Sequence, residues 1–288
     1  MPWNPNIPAV SNQISADVPD IEENFDWLRQ LVRMCIGWKD NTIANVSPPG
    51  PQRSRFSYSD ADTIIILPGV YFHDGTTRQT VFWDAAITFN LGPGGSNGLS
   101  DALGADEWHY IYLDDSAIIT QASPELDAGC FLNDTTAPTW SDAKHGWYNG
   151  SDRCIFAVLT DGSNNILEFF HDGGDLVYYA GFVHDRDSED LDVAWTDVTL
   201  TIPAFCRRAQ VLLESYYVDG TVTLMWRTNG QTDGVGHHVG ISAVGSELSS
   251  NTFPVITDSN LKIEIRHSAA GGNTAVVYTD GWYFPVGI

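Results

Sequence analysis

At 288 residues, with 43% apolar and 12% aromatic side chains, the chain has length for one large or two ordinary domains and too many core residues to be disordered. Its formal charge of -23 sets 37 Asp+Glu against 14 Lys+Arg, and a surface this negative repels phosphates, which excludes nucleic-acid binding by counterion release and disfavours an anionic membrane face. No apolar run approaches the roughly 20 residues a bilayer needs and no basic leader opens the sequence, so neither membrane insertion nor export from the cytoplasm of synthesis is expected.

Residues 1–16 carry Pro2, Pro5 and Pro8 among Asn and Ser, which blocks regular structure and predicts an extended arm. A helix is expected next, within PDIEENFDWLRQLVRMCIGW. Asp17 suits the cap, Pro19 the first turn, and Asp20, Glu22 and Glu23 the positive end of the dipole. Ile21, Phe25, Leu28, Val32 and Cys35 recur at alternating steps of four and three, the seam of a short coiled coil and a candidate surface for oligomerisation or docking. An ordinary amphipathic helix packed on its own domain fits the same spacing, because under three heptads do not hold a coiled coil alone. Arm and helix make up residues 1–41, and the Pro-rich stretch 42–52 reads as a stiff linker.

Beyond it, residues 53–175 break into β-branched and aromatic runs separated by Pro-Gly, Gly-Gly and Asp-Gly turns, among them TIIILPGVYF, EWHYIYLDDSAIIT and RCIFAVLTDGSNNILEFF. Residues 176–288 supply at least six more strands and no helical pattern. LKIEIRH alternates cleanly, and VLLESYYVDGTVTLMWR reads as a hairpin turning at Asp219-Gly220. The expected fold is therefore all-β: two antiparallel β domains, the second a jelly-roll-like β-sandwich, preceded by the arm and one short amphipathic helix.

Chemistry is sparsely marked. Asp114-Asp115 point to opposite faces and read as an exposed turn rather than a catalytic pair. HDRDSEDLD, His184 to Asp192, reads as a solvated acidic loop. It is a candidate calcium site only, since it lacks the central Gly and closing Glu of a calcium loop. His237 and His238 read as a loop between glycines. Cys35, Cys130, Cys154 and Cys206 form no Cys-x-x-Cys pair and are expected as buried free thiols. No catalytic, dinucleotide or phosphate-loop motif is present, so neither an enzyme nor a cofactor is expected. Among the aromatic residues, Trp195, Tyr216, Tyr217 and Trp226 are candidates for a receptor-binding face.

ISADVPDIEENFDWL after a Pro-rich arm, IIILPGVYFHDGTT, ADEWHYIYLDDSAI and GWYNGSDRCIFAVLTDGSNNILEFFHDGG resemble stretches of bacteriophage virion proteins of the tail-fibre or tail-appendage kind. The resemblance covers roughly the first 175 residues. It implies a homotrimer in the virion without catalytic residues, docked on other virion proteins by its N-terminus, with the C-terminal domain free to meet a host surface glycan or protein. The absence of a long heptad run or shaft repeat favours a compact appendage over a long fibre. A head decoration protein, or a free glycan-binding or glycan-cleaving β-sandwich, are the alternatives.

Overall fold

The computed structural model describes residues 54–92, 103–121, 123–216, 222–242, 248–285 and 287–288. The N-terminal arm, the seam Ile21, Phe25, Leu28, Val32 and Cys35, and the linker lie outside the described residues, as does Tyr217.

In the N-terminal block, β1 (Phe56–Asp60), β2 (Thr63–Ile66) and β5 (Ile87–Asn90) form one antiparallel sheet, and β3 (Gly69–Asp74) pairs with β4 (Arg78–Trp83). A second sheet has the order β7-β6-β10-β9-β8, from β6 (Trp108–Leu113), β7 (Phe131–Asp134), β8 (Thr139–Ser141), β9 (Gly146–Asn149) and β10 (Asp152–Leu159). Its central strands are buried on both faces, which is why WHYIYL and RCIFAVL read as continuous apolar runs.

Among the described residues one α-helix interrupts this block, besides a 3-10 turn at Ala128–Cys130. The β-branched stretch after Asp114 suggests strand, yet α1 spans Asp115–Gln121. Asp114 decides the matter: its carboxylate accepts from the amides of Ser116 (2.9 Å) and Ala117 (3.1 Å) and caps the first turn.

The C-terminal block is a jelly roll. Its strands are β12 (Leu176–Asp190), β13 (Thr196–Thr199), β14 (Arg208–Tyr216), β15 (Val222–Thr228), β16 (His237–Ser242), β17 (Leu248–Ile256), β18 (Lys262–His267) and β19 (Thr274–Tyr283). They pair outside-in, β12 with β19, β13 with β18, β14 with β17 and β15 with β16, as one long hairpin rolled onto itself. The result is two facing sheets, β12-β19-β14-β17 and β13-β18-β15-β16, and β11 (Phe169–His171) extends the first beside β12. The boundary expected after residue 175 thus falls between two strands of one sheet.

This topology corrects three expectations. Asp219-Gly220 itself lies outside the described residues, but the strands that flank it, β14 and β15, do not pair as the expected hairpin: they lie in different, facing sheets. Each strand has an apolar face, Ala209, Val211 and Leu213 on one and Leu224 on the other, and crossing lets both faces meet in the core. The acidic stretch from His184 is no loop either. Up to Asp190 it is the far half of β12, held to β19 by backbone hydrogen bonds, with Asp187, Glu189 and Asp190 in solvent and Asp185 turned inward. His237 and His238 open strand β16.

The two blocks share one contiguous core. Trp282 of β19, Phe284, Phe156 of β10 and Phe205 meet at ring-centroid distances of 4.9–5.8 Å. Arg153 of β10 donates to the carbonyl of Gly287 at 3.1 Å, and Ile288 is buried, so the C-terminus is seated against the N-terminal block. Cys130, Cys154 and Cys206 are buried free thiols, as expected, and burial pushes Cys130 and Cys206 up to about 11.

Candidate functional site

The tightest catalytic-looking pairs are sealed. His267 of β18 hydrogen-bonds the carbonyl of Leu191 through Nδ1 (3.0 Å) and Ser215 Oγ through Nε2 (2.7 Å). A carbonyl only accepts, so the proton sits on Nδ1 and Ser215 donates to Nε2. That is the polarity of a serine nucleophile with its base, but His267 is 0% and Ser215 1% exposed. Burial holds the imidazole below its usual pKa, and the pair serves as a polar tie between the two sheets.

His73 of β3 and Asp115 form the second pair, with Nε2 and Oδ1 2.9 Å apart. Asp115 was expected in an exposed turn and is instead buried, accepting also from the Thr76 amide (3.0 Å) and hydroxyl (2.6 Å). His73 is 0% exposed, its Nδ1 meets no hydrogen-bond partner, and burial again lowers its pKa. Asp114 and Asp115 do face different ways, one capping the helix and the other entering the core.

An open, accessible cleft of 960 Å³ lies where the two blocks meet. Trp108, Tyr110, Phe182 and His184 line it, with Asp106, Asp161 and Glu168 among the acidic lining residues. A local irregularity builds it. Between Tyr178 and Val183 the register of β12 against β19 shifts, one residue on β19 facing four on β12, and this bulge carries Ala180, Gly181 and Phe182 to the cleft. Gly281 permits the approach at its start, since a Cβ there would collide with the Val177 carbonyl oxygen. Just past the bulge, Asp185 accepts from the Thr201 hydroxyl (2.6 Å), the Thr201 amide (3.0 Å) and the Thr279 hydroxyl (2.5 Å). Burial outweighs these bonds and pushes its carboxyl up to about 6.

The aromatic candidates do not converge. Trp195 is half-buried on the outer face of β13-β18-β15-β16, with the guanidinium groups of Arg227 and Arg266 at 4.2 and 4.5 Å from its ring centroid. Trp226 stacks on His237 (4.6 Å) and Phe253 (5.6 Å) and packs against the core. Tyr216 is 44% exposed at the end of β14, on the outer face of the opposite sheet. Trp108 and Phe182 were missed because nothing local separates them from core aromatics; the signal was Ala180-Gly181, two small residues inside a strand pattern. Among the described residues no group of three or more His, Cys, Asp or Glu could hold a metal ion.

No protein-family model and no curated protein matches the chain. Solved structures with partial likeness include one from Bacillus endospore appendages, described as a novel family of disulfide-linked pili, at 17% identity over 37% of this chain and 93% of that one, TM-score 0.21. Others are the infectious bursal disease virus Gx strain (13% identity, 80% of this chain and 72% of that one, TM-score 0.20) and the VP2 subviral particle of the same virus (11%, 84% and 76%, TM-score 0.19). At such TM-scores these likenesses carry no argument, and the fold assignment rests on the strand order described above.

Proposed function

We propose that this chain is a non-enzymatic structural subunit of a bacteriophage virion, a tail fibre or tail appendage. It docks on neighbouring virion proteins through the seam read at Ile21, Phe25, Leu28, Val32 and Cys35, works as a homotrimer, and turns residues 176–288 toward the host. The observation that carries the non-enzymatic part is the separation of reactive pairs from accessible space. Ser215–His267 and His73–Asp115 have their imidazoles at 0% exposure, while the open cleft offers ring faces, backbone and the carboxylates of Asp106, Asp161 and Glu168. A cleft of that kind suits contact with a host surface glycan through ring stacking and hydrogen bonding. The tail-appendage part rests on the resemblance of the first 175 residues.

The experiment is to incubate the purified full chain with capsular polysaccharide, lipopolysaccharide and peptidoglycan and to measure new reducing ends. The substrates should remain intact. Product release that disappears in Asp161→Asn or Glu168→Gln would overturn the non-enzymatic reading and make the cleft an active site.

A further inference from the structure

The bulge that forms one wall of the cleft is braced on both sides. Ala180 donates its amide to the carbonyl of Glu168 in the N-terminal block (2.8 Å), Tyr179 donates its hydroxyl to the carbonyl of Thr201 (3.1 Å), and Asp185, past the bulge, accepts from the amide of the same Thr201 (3.0 Å). The segment between these ties presents Phe182 with 54% of its surface exposed, and Trp108 of β6, half-buried, lines the cleft from the N-terminal block.

The free hydrogen-bonding groups of the cleft are of both kinds. Among the described residues the indole N–H of Trp108 and the hydroxyl of the exposed Thr199 have no hydrogen-bond partner, and neither do the exposed carboxylates of Asp106 and Glu168. Asp161 differs: its carboxylate accepts from the amides of Ser163 (2.8 Å) and Asn165 (2.9 Å) and is engaged in its own turn. No Lys or Arg is among the lining residues, and the one imidazole, that of His184, lies 3.3 Å from Asp187.

We infer that the cleft binds an uncharged, hydroxyl-rich saccharide and discriminates against acidic ones. The pairing of free donors with free acceptors selects the ligand. A hydroxyl can accept from the Trp108 indole or from Thr199 and donate to Asp106 or Glu168, whereas an ammonium group only donates and an ionised carboxylate only accepts. Donation to an ionised carboxylate makes a charge-assisted bond, roughly twice as strong as a neutral one. An anionic sugar would instead meet Asp106 and Glu168 with no Lys or Arg to receive it, on a chain of charge -23. The rings of Phe182 and Trp108 supply rigid apolar area for the C–H surface of a pyranose. Trp108, Asp106 and Glu168 belong to one block and Phe182 and Thr199 to the other, so the saccharide is held between the two.

The inference deepens the glycan contact proposed above and rests on it. The test is isothermal titration of the full chain with three sets of oligosaccharides of equal length: neutral gluco-, manno- and galacto-configured oligomers with their N-acetylated forms, uronic-acid oligomers, and chitosan oligomers. At least one neutral oligomer should bind about tenfold or more tightly than the uronic-acid and chitosan sets. Phe182→Ser, at a 54% exposed position, should weaken that binding about tenfold. Asp106→Asn/Glu168→Gln should weaken it severalfold and narrow the gap to the uronic-acid oligomers, with circular dichroism unchanged. If Phe182→Ser misfolds, the carboxylate variant, changed only at exposed positions, decides alone. Preference for uronic-acid or chitosan oligomers would overturn the inference while leaving a saccharide contact in the cleft. Binding to none of the three sets, or binding that both folded variants keep unchanged, would overturn the inference and the glycan contact in the cleft together.

Discussion

Trp282→Ala should lower the unfolding free energy by about 3–5 kcal/mol, the cost of truncating a fully buried large aromatic. Trp282 is 1% exposed and its ring touches Phe156 of the N-terminal block as well as Phe205 and Phe284, so the space left behind lies where the two blocks share their core. Close-packed interiors relax only partly into such a space, and a domain holds about 5–15 kcal/mol in all. Urea unfolding of the two proteins checks this, with Trp282→Phe as the milder control that keeps an aromatic in place. A loss below about 1 kcal/mol would mean that the blocks do not depend on this cluster.

Asp115→Ala should cost about 2–4 kcal/mol at pH 7. It removes charge-assisted hydrogen bonds and leaves both nitrogens of the buried His73 ring without a partner. The pH dependence has a definite sign. Burial alone would raise the Asp115 carboxyl, but the bonds from Thr76 and His73 outweigh it and hold the pKa below its usual value. A depressed carboxyl stabilises the fold fully above its unfolded value of about 3.9 and loses that contribution as the pH falls through the folded value. The gap between wild type and variant should therefore be full at pH 7 and narrow below about pH 4. Asp115→Asn, which keeps an acceptor for Thr76, should lose less. Thermal unfolding across pH measures both effects, and a variant as stable as wild type at pH 7 would contradict this account of the pair.

Local signals in the sequence suffice for the sandwich but not for its wiring. LKIEIRH alternates, and Ile263, Ile265 and His267 are all buried at 0% on one face of β18. Asp219-Gly220 misleads because a turn dipeptide marks a reversal without saying whether the next strand returns beside its neighbour or crosses to the facing sheet; long-range pairing of β14 with β17 and β19 decides that. The acidic half of β12 misleads in the opposite way, because backbone hydrogen bonds to β19 hold a strand whose side chains carry no apolar alternation. His73 and Asp115 lie 42 residues apart, and Ser215 and His267 52 apart, so no motif reveals either pair. Trp195 illustrates the limit for single residues: its aromatic character is plain in the sequence, but the two arginines that take up its ring come from β15 and β18.

The central claim, that the chain is a structural component of a virion, is tested most directly by quantitative mass spectrometry of purified particles from the host that produces it. The account predicts a fixed number of copies per particle, a multiple of three for a homotrimer, retained through density-gradient purification. Recovery of the chain only in the particle-free fraction, with none in the purified particles, would contradict it.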